Sequence, residues 1–232
     1  MKARPHDVLE IRLRSNRPQD AWQEVCDVAA GLQIPVRTGV VKDRNARRAP
    51  KNFQRTERTG AAEATVREPA PSTLESILKT DKPDTGLWLA LDCVQDPQNV
   101  GAIFRSASFF GIRGIVMTKD RSSPMNATVC DVAAGGVEDV PFVIETNLAR
   151  VLEKARAAGL WVLGASEHAE QDVYSIDTDR AWMLVVGNEQ KGLRRLTLEN
   201  CDVVCRLPPV GAVTSLNVSV AAGALIAVLS RP

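Results

Sequence analysis

The sequence predicts an α/β protein with a mostly parallel sheet, helices on both faces of that sheet, and a small α/β region in front of it. Two observations indicate this fold class. The 232 residues are 44% hydrophobic, enough for one sizeable core and a small appendage. From residue 87 onward, short apolar runs alternate with amphipathic helices. Such alternation is typical of parallel sheets that are covered on both faces.

The small region comprises residues 1–66. Its run DVLEIRL alternates as a strand does, AWQEVCDVAAGLQ has helical spacing, and IPVRTG has the pattern of another strand start. These elements are few for an independent domain, so we expect an incomplete or dependent α/β region. A linker is predicted at residues 67–86, where three prolines and polar residues surround one short, apolar, helix-like patch.

Six strands and five helices are predicted after the linker. The strands are the apolar runs 87–91, 115–117, 141–144, 161–163, 182–186 and 203–207. Helical spacing places the helices at 100–110, 126–134, 148–158, 193–200 and 216–229. Sheets of this kind bind ligands at the carboxyl ends of their strands, so we expect the chemistry in the loops that follow the strands.

The first of three unusual loops leaves the strand that ends at Asp92. Asn99 is placed to cap the next helix, whose apolar positions fall at helical spacing. Arg105 is then left on the other face of that helix. A lone exposed arginine usually serves solubility, but Asn, Gly and Arg together at the open end of a sheet indicate a site more strongly.

The other two loops also combine small and polar residues. GNEQKG follows a buried strand and places Gly187 and Glu189 in the mouth of the sheet, where glycine lets the backbone approach a ligand closely. Ser215, Asn217 and Ser219 precede or open a helix of small residues, where they suit either a polar ligand or helix capping. Neither GxGxxG nor GxxxxGK[ST] is present, which disfavours classical NAD binding and NTP hydrolysis.

Basic residues are concentrated in the first quarter of the chain. Residues 1–60 hold 13 Lys or Arg against 7 Asp or Glu, although the net charge of the chain is only +1. Eight of these bases, with two acids, lie between Arg37 and Arg58. This run is either a solvated loop or a patch for phosphates. We favour the patch, because clustered bases gain affinity for a polyanion by releasing its counterions.

Composition disfavours membrane, disulfide and metal classes. No apolar stretch approaches the roughly 18 residues of a membrane span, and the charged N-terminus does not resemble a signal peptide. We therefore expect a soluble, cytoplasmic protein. The five cysteines include no CxxC pair, and neither a histidine nor a second cysteine pair accompanies Cys201 and Cys205. Reduced structural cysteines and no bound metal are expected.

In their order along the chain, the three loops resemble the motifs of the SpoU/TrmH family of RNA ribose 2′-O-methyltransferases, within the SPOUT superfamily. D-P-x-N-x-G-x-x-x-R-[ST]-A stands at 96–107, G-x-E-x-x-G at 187–192 and S-L-N-V-S at 215–219. The intervening stretch KDRSSPMNATVCDVAAGGVEDVPF is similar to that of bacterial 23S rRNA guanosine-2′-O-methyltransferases. The resemblance covers residue 87 to the C-terminus.

The resemblance implies a fold detail, a cofactor and partners. Family members thread the C-terminal segment through a loop into a deep trefoil knot, an arrangement otherwise nearly absent from proteins. The knot holds S-adenosylmethionine, and matching positions place Gly187, Leu207 and Leu216 around it, mainly through backbone groups. Family members are homodimers. The implied substrate is structured RNA, with rRNA favoured over tRNA.

The family motifs also imply that Asn99, Arg105, Glu189, Ser215 and Asn217 act in catalysis. A ribose 2′-hydroxyl attacks the methyl carbon in line, so the enzyme must align three atoms and assist the loss of a proton. A guanidinium, with a pKa above about 12, is a poor base. We expect Arg105 to position phosphate or ribose, Asn99 to orient that arginine or the ribose, and Glu189 to hold the loops and Asn217 by hydrogen bonds.

The resemblance is weaker in residues 1–66, which look like the second part of a small RNA-binding domain without its first strand and helix. Where relatives carry a His-Gln-Gly-like element, this chain has RTERTG at 55–60. The alternatives are a tRNA 2′-O-methyltransferase and a non-catalytic RNA-binding descendant. Intact Arg105 and Glu189 argue against the non-catalytic alternative, and the glycine pattern argues against a nicotinamide-dependent oxidoreductase.

Overall fold

A computed structural model describes residues 4–13, 20–39, 62–79 and 85–231 of the protein. The chain forms two compact units, Met1–Glu68 and Pro69–Pro232. Of the predicted basic patch, Arg37 is described, whereas its other seven bases and the RTERTG segment lie outside the described residues. The role of residues 1–66 in RNA binding therefore stays a prediction.

The described part of the first unit is a three-stranded sheet with one helix. Strand β1 (Val8–Leu13) lies between β2 (Val36–Thr38), which is parallel to it, and β3 (Ala62–Val66), which is antiparallel. Helix α1 (Asp20–Gly31) connects β1 to β2. The buried apolar residues are Ile11, Leu13, Ala29 and Ile34. β1, α1 and β2 match predicted elements, but β3 was not predicted, because its mostly exposed side chains leave little hydrophobic pattern.

The second unit is built on a sheet of seven strands in its described residues. In spatial order these are β6 (Phe142–Glu145), β5 (Ile115–Thr118), β4 (Gly86–Leu91), β9 (Ala181–Val186), β7 (Trp161–Ala165), β10 (Val203–Arg206) and β8 (Gln171–Asp172). Every neighbouring pair is parallel, as predicted. All six predicted strands are present, and the two-residue β8 is the addition. The last strand in sequence, β10, lies between β7 and β8.

Helices cover both faces of this sheet. One face carries α3 (Pro97–Phe109), α4 (Ala127–Ala133), α5 (Gly136–Asp139) and α8 (Val218–Leu229), and the other carries α2 (Leu74–Leu78), α6 (Leu148–Ala157) and α7 (Arg195–Glu199). Strand β4 contributes to both cores, because Leu87, Leu89 and Leu91 face the first set of helices while Trp88 and Ala90 face the second. Burial on both faces explains why the parallel strands have continuous apolar sequences.

Part of the predicted linker belongs to the core of the second unit. Helix α2 lies within residues 67–86, and its Leu74, Ile77 and Leu78 are buried. The Trp88 indole Nε1 donates a hydrogen bond to the Ile77 carbonyl oxygen at 3.0 Å. The range predicted as a linker therefore contains one short helix whose apolar side chains are buried with the second unit. Three apolar side chains in one short helix bury enough surface to fasten it to the sheet.

The C-terminal segment ends in helix α8, which packs against α3. The helices approach closely, since a Cβ placed on Gly223 would lie 3.5 Å from the Ser106 hydroxyl oxygen. The trefoil knot that the family resemblance implies for this segment stays a prediction. No helix within the described ranges is both long enough and apolar enough to cross a membrane.

Candidate functional site

The loops singled out in the sequence follow strands β4, β9 and β10. β4 and β9 are parallel neighbours, paired from Gly86 with Ala181 to Leu91 with Val186. Residues 92–96 and 187–194 therefore leave the sheet side by side at its carboxyl edge, where ligands bind in this class of fold.

Helix α3 begins three residues earlier than expected, and Asn99 does not cap it. The cap is Asp96, whose side-chain oxygen accepts a hydrogen bond from the Gln98 amide at 2.9 Å. Pro97 occupies the first helical position, where no amide hydrogen is needed. The predicted capping role of Asn99 was wrong. Its side chain, only 6% exposed, is instead available for contacts outside its own helix.

A chain of hydrogen bonds joins the three motifs. Asn217 Nδ2 donates to Asn99 Oδ1 at 3.0 Å, and Asn99 Nδ2 donates to Glu189 Oε1 at 3.1 Å. Ser219 donates to Asn217 Oδ1 through its backbone amide at 2.8 Å and its hydroxyl at 2.6 Å. Because a backbone amide can only donate, Asn217 Oδ1 must face Ser219, and this sets the orientation of both asparagine side chains.

Glu189 accepts hydrogen bonds at both carboxylate oxygens. Oε1 also accepts from the Asp96 amide at 3.3 Å, and Oε2 accepts from Asn188 Nδ2 at 3.2 Å. The donors come from the first and second motifs, so the carboxylate lies where these loops meet. Asn217 reaches Glu189 through Asn99, whereas a direct bond was expected. This geometry supports the expectation that Glu189 holds the motif loops together by hydrogen bonds.

The loop after β9 closes tightly on itself. Asn188 and Gly192 exchange backbone hydrogen bonds of 3.0 and 2.9 Å. A Cβ on Gly187 would lie 2.3 Å from the Gly192 carbonyl carbon and 2.4 Å from the Leu193 amide nitrogen. Protein Cβ atoms essentially never come so close to backbone, so only glycine fits at position 187. Gly192 has a φ of +64°, a conformation that also favours glycine.

A cavity of about 750 Å³ opens beside this loop. The three residues expected to bind the cofactor, Gly187, Leu207 and Leu216, all line it, as do Glu189 and Ser215. The volume lies within the range of small-molecule sites. Apolar side chains, glycine backbone and polar side chains all face the cavity, which therefore suits a ligand with both apolar and polar parts.

Burial affects the two cysteines that were considered as metal ligands. Burial raises the pKa of Cys205, which lines the cavity, to about 12, and burial likewise raises the pKa of Cys201 to about 12. A thiol with a raised pKa is a poor nucleophile. In the described parts of the chain, no three His, Cys, Asp or Glu side chains are grouped so as to hold a metal ion.

Arg105 belongs neither to the hydrogen-bonded chain nor to the lining of the cavity. It is exposed on α3, opposite the buried Phe104 and Ala107, which confirms the predicted polar face. Its guanidinium forms no hydrogen bond or ion pair with the described residues. The structure thus brings Asn99, Glu189 and Asn217 together but leaves Arg105 open to a ligand from outside.

The sequence did not reveal every residue that holds these loops. Asn188 Nδ2 donates to the Cys93 carbonyl oxygen at 2.9 Å, and the fully buried Asp92 binds Arg194 and Thr197. Arg194 and Thr197 are more than 100 residues from Asp92 in sequence, so no local sequence pattern predicts these contacts. One signal was available, because a carboxylate directly after a buried strand needs a partner.

Comparison with known proteins places the chain in a family. Residues 86–227 match the SpoU rRNA Methylase family. The 23S rRNA (guanosine-2′-O-)-methyltransferase RlmB of Pseudomonas aeruginosa is 39% identical over 229 residues, which cover 96% of this chain and 88% of that protein. The SpoU methyltransferase AviRb from Streptomyces viridochromogenes has the same fold, with a TM-score of 0.78 at 23% identity over 99% of this chain and 86% of AviRb. A second AviRb structure, in complex with the cofactor AdoMet, has a TM-score of 0.76 at 22% identity, over 99% of this chain and 87% of that structure. From these matches and the geometry above, the chain belongs to the SpoU rRNA methylase family.

Proposed function

We propose that this protein is an S-adenosylmethionine-dependent rRNA ribose 2′-O-methyltransferase. The observation that carries the proposal is the hydrogen-bonded meeting of Asn99, Glu189 and Asn217, one from each family motif, at the edge of the sheet that holds the cavity. The relative from Pseudomonas aeruginosa, which matches nearly the whole chain, is named for methylating 23S rRNA at a guanosine. We therefore propose rRNA as the substrate, with guanosine as the nucleotide.

The cavity fits S-adenosylmethionine. Its volume of about 750 Å³ accommodates a ligand of this size. Gly187, Leu207 and Leu216 would hold the cofactor, and glycine at position 187 allows the tight loop closure that shapes this wall of the cavity. An AviRb structure with the same fold contains AdoMet, which supports this choice. When bound, the cofactor supplies an electrophilic methyl group.

The residues of the chain would align the reacting groups and bind the RNA. Asn99, Glu189 and Asn217 hold the three motif loops in one geometry, so that the reacting groups meet in line. Ser215 offers a hydroxyl at the cavity wall. Arg105 would bind phosphate or ribose of the RNA and stabilise negative charge on the ribose oxygen as the hydroxyl proton passes to solvent water.

We further propose that residues 1–66 help to dock the RNA. The relative from Pseudomonas aeruginosa matches 96% of this chain, so the similarity extends into this region. The excess of basic residues there suits a phosphate backbone. A ribosomal RNA substrate also leads us to propose a cytoplasmic location.

The function is tested with the full chain and tritiated S-adenosylmethionine. Unmodified 23S rRNA and tRNA transcripts are offered separately, and the labelled RNA is then hydrolysed with alkali. We expect label in the 23S rRNA, recovered in an alkali-resistant dinucleotide that contains guanosine. Alkaline cleavage needs a free 2′-hydroxyl, so resistance identifies the methylated ribose.

Label in tRNA alone would favour the tRNA methyltransferase instead. Cofactor binding without transfer to either RNA would favour the non-catalytic RNA-binding descendant. Label in an alkali-sensitive product would place the methyl group on a base and contradict 2′-O-methylation.

A homodimer is part of the proposal. Four apolar side chains in and beside the third motif are exposed in the single chain, namely Val210, Val213, Leu216 and Val220. Apolar surface of this kind is typical of a subunit interface.

We expect light scattering after gel filtration to give the mass of two chains. Val220→Glu should shift the mass to one chain, whereas Leu196→Glu, an exposed apolar position on α7, should leave a dimer. A monomeric wild-type protein would contradict the proposal.

A further inference from the structure

A fully buried carboxylate lies at the end of β4. Asp92 Oδ1 accepts a hydrogen bond from Arg194 Nε at 2.6 Å. Its Oδ2 accepts from the Arg194 backbone amide at 3.1 Å and from the Thr197 hydroxyl at 2.7 Å. A buried charge is costly unless it is paired and hydrogen-bonded. These three bonds meet that requirement, and all of them connect Asp92 to the beginning of α7.

The same residue holds the other end of the loop that leads into α7. The Asp92 amide donates to the Val186 carbonyl oxygen at 2.8 Å, at the end of β9. Residues 187–194 are therefore fastened to Asp92 both where the loop leaves β9 and where it enters α7. This loop contains Gly187 and Glu189, and residues 187–193 line the cavity.

We infer that Asp92 is a positioning residue for the cofactor, because it holds the loop 187–194 in the shape that forms one wall of the cavity. Asp92 is not among the described residues that line the cavity, so it acts through the loop rather than by contact. The inference rests on the proposed function, since it takes this cavity to be the S-adenosylmethionine site.

Asp202 provides a matched comparison just beyond α7. Its Oδ2 accepts from the Val162 amide at 2.7 Å, and its Oδ1 lies 3.8 Å from Arg156 Nη1. Like Asp92, it binds a backbone amide and pairs with an arginine. Asp202 precedes β10 and so lies at the opposite edge of the parallel sheet from the cavity. Loss of its charge should lower stability without affecting the loop.

The test measures cofactor affinity and stability in full-length Asp92→Asn and Asp202→Asn proteins. S-adenosylmethionine binding is followed by calorimetry, and Tm is recorded without ligand. We expect both substitutions to lower Tm, but only Asp92→Asn to weaken cofactor binding, by about tenfold. Thr197→Val, which loses one hydrogen bond to Asp92, should weaken binding by about threefold, whereas Thr197→Ser should retain wild-type affinity.

Wild-type affinity in both Asp92→Asn and Thr197→Val would overturn the inference, as would an equal loss in Asp202→Asn. If Asp92→Asn does not fold, the Thr197 pair decides the outcome, because it leaves the buried charge and its arginine in place. A wild-type protein that binds no S-adenosylmethionine would overturn the proposed function together with this inference. The two failures are distinguishable. If only the inference is wrong, the wild-type protein binds S-adenosylmethionine, and Asp92→Asn and Thr197→Val bind it with the same affinity.

Discussion

Arg105→Ala is expected to reduce methyl transfer by at least about 100-fold while leaving the protein folded and its cofactor affinity unchanged. The Arg105 side chain is exposed on α3 and forms no ion pair with the described residues, so its removal costs little stability. It also lies outside the cavity lining, so the cofactor loses no contact. What is lost is the cation that positions the ribose or its phosphate.

The measurement is the initial rate of tritium transfer to 23S rRNA, with cofactor affinity and Tm recorded on the same protein. Arg150→Ala is the control, because Arg150 is also exposed but lies on α6 at the other face of the sheet. Transfer by Arg105→Ala within twofold of the wild-type rate would show that the catalytic assignment is wrong.

The kinetic pattern also identifies what Arg105 does. A role in the transition state lowers kcat, whereas uniform phosphate binding raises the KM for RNA and leaves kcat unchanged. Arg105→Lys retains the charge but not the planar fork of donors, so it should restore phosphate binding better than oriented contact with ribose. A fall in kcat that lysine does not restore would support ribose positioning.

Gly187→Ala is expected to weaken S-adenosylmethionine binding by about 100-fold. The added methyl carbon would meet the Gly192 carbonyl carbon at 2.3 Å and its oxygen at 2.4 Å. Both atoms belong to the backbone and cannot rotate away as a side chain would. The loop would have to move, and with it the cavity wall that residues 187–193 form.

Calorimetric titration with S-adenosylmethionine measures this effect, and circular dichroism shows whether the variant is folded. Gly31→Ala is the matched control, since a Cβ at Gly31 meets nothing within 4 Å. The control should bind the cofactor as the wild type does. A folded Gly187→Ala protein with wild-type affinity would mean that the loop does not shape the cofactor site.

The alternation of apolar runs and helices was sufficient to predict the parallel sheet. The central strands β4, β5 and β9 are buried on both faces, which leaves continuous apolar runs in the local sequence. Strand β8 and helix α5 were not predicted, because elements of two and four residues are too short to show a period. Helix α2 was placed in a linker, since its attachment depends on Trp88 and the sheet rather than on its own sequence.

Within the site, too, some features were predicted from local sequence and others depended on the tertiary structure. From the sequence, Asn99 was predicted to cap helix α3. The structure assigns the cap to Asp96, followed by Pro97, and Asn99 bonds to Glu189 and Asn217, which lie 90 and 118 residues away. The family motifs singled out these residues, but the contacts that the residues make with one another were not apparent from the sequence.

Local sequence was thus enough for the longer strands and helices, for the three motif loops and for the polar face that carries Arg105. Periodicity and capping act within a few residues, so they are visible in the sequence itself. The cavity, the hydrogen-bonded chain and the fastening of Asp92 to Arg194, 102 residues later, required the tertiary structure. Contacts over such separations follow from how the strands are ordered in the sheet, and they leave no periodic pattern in the sequence.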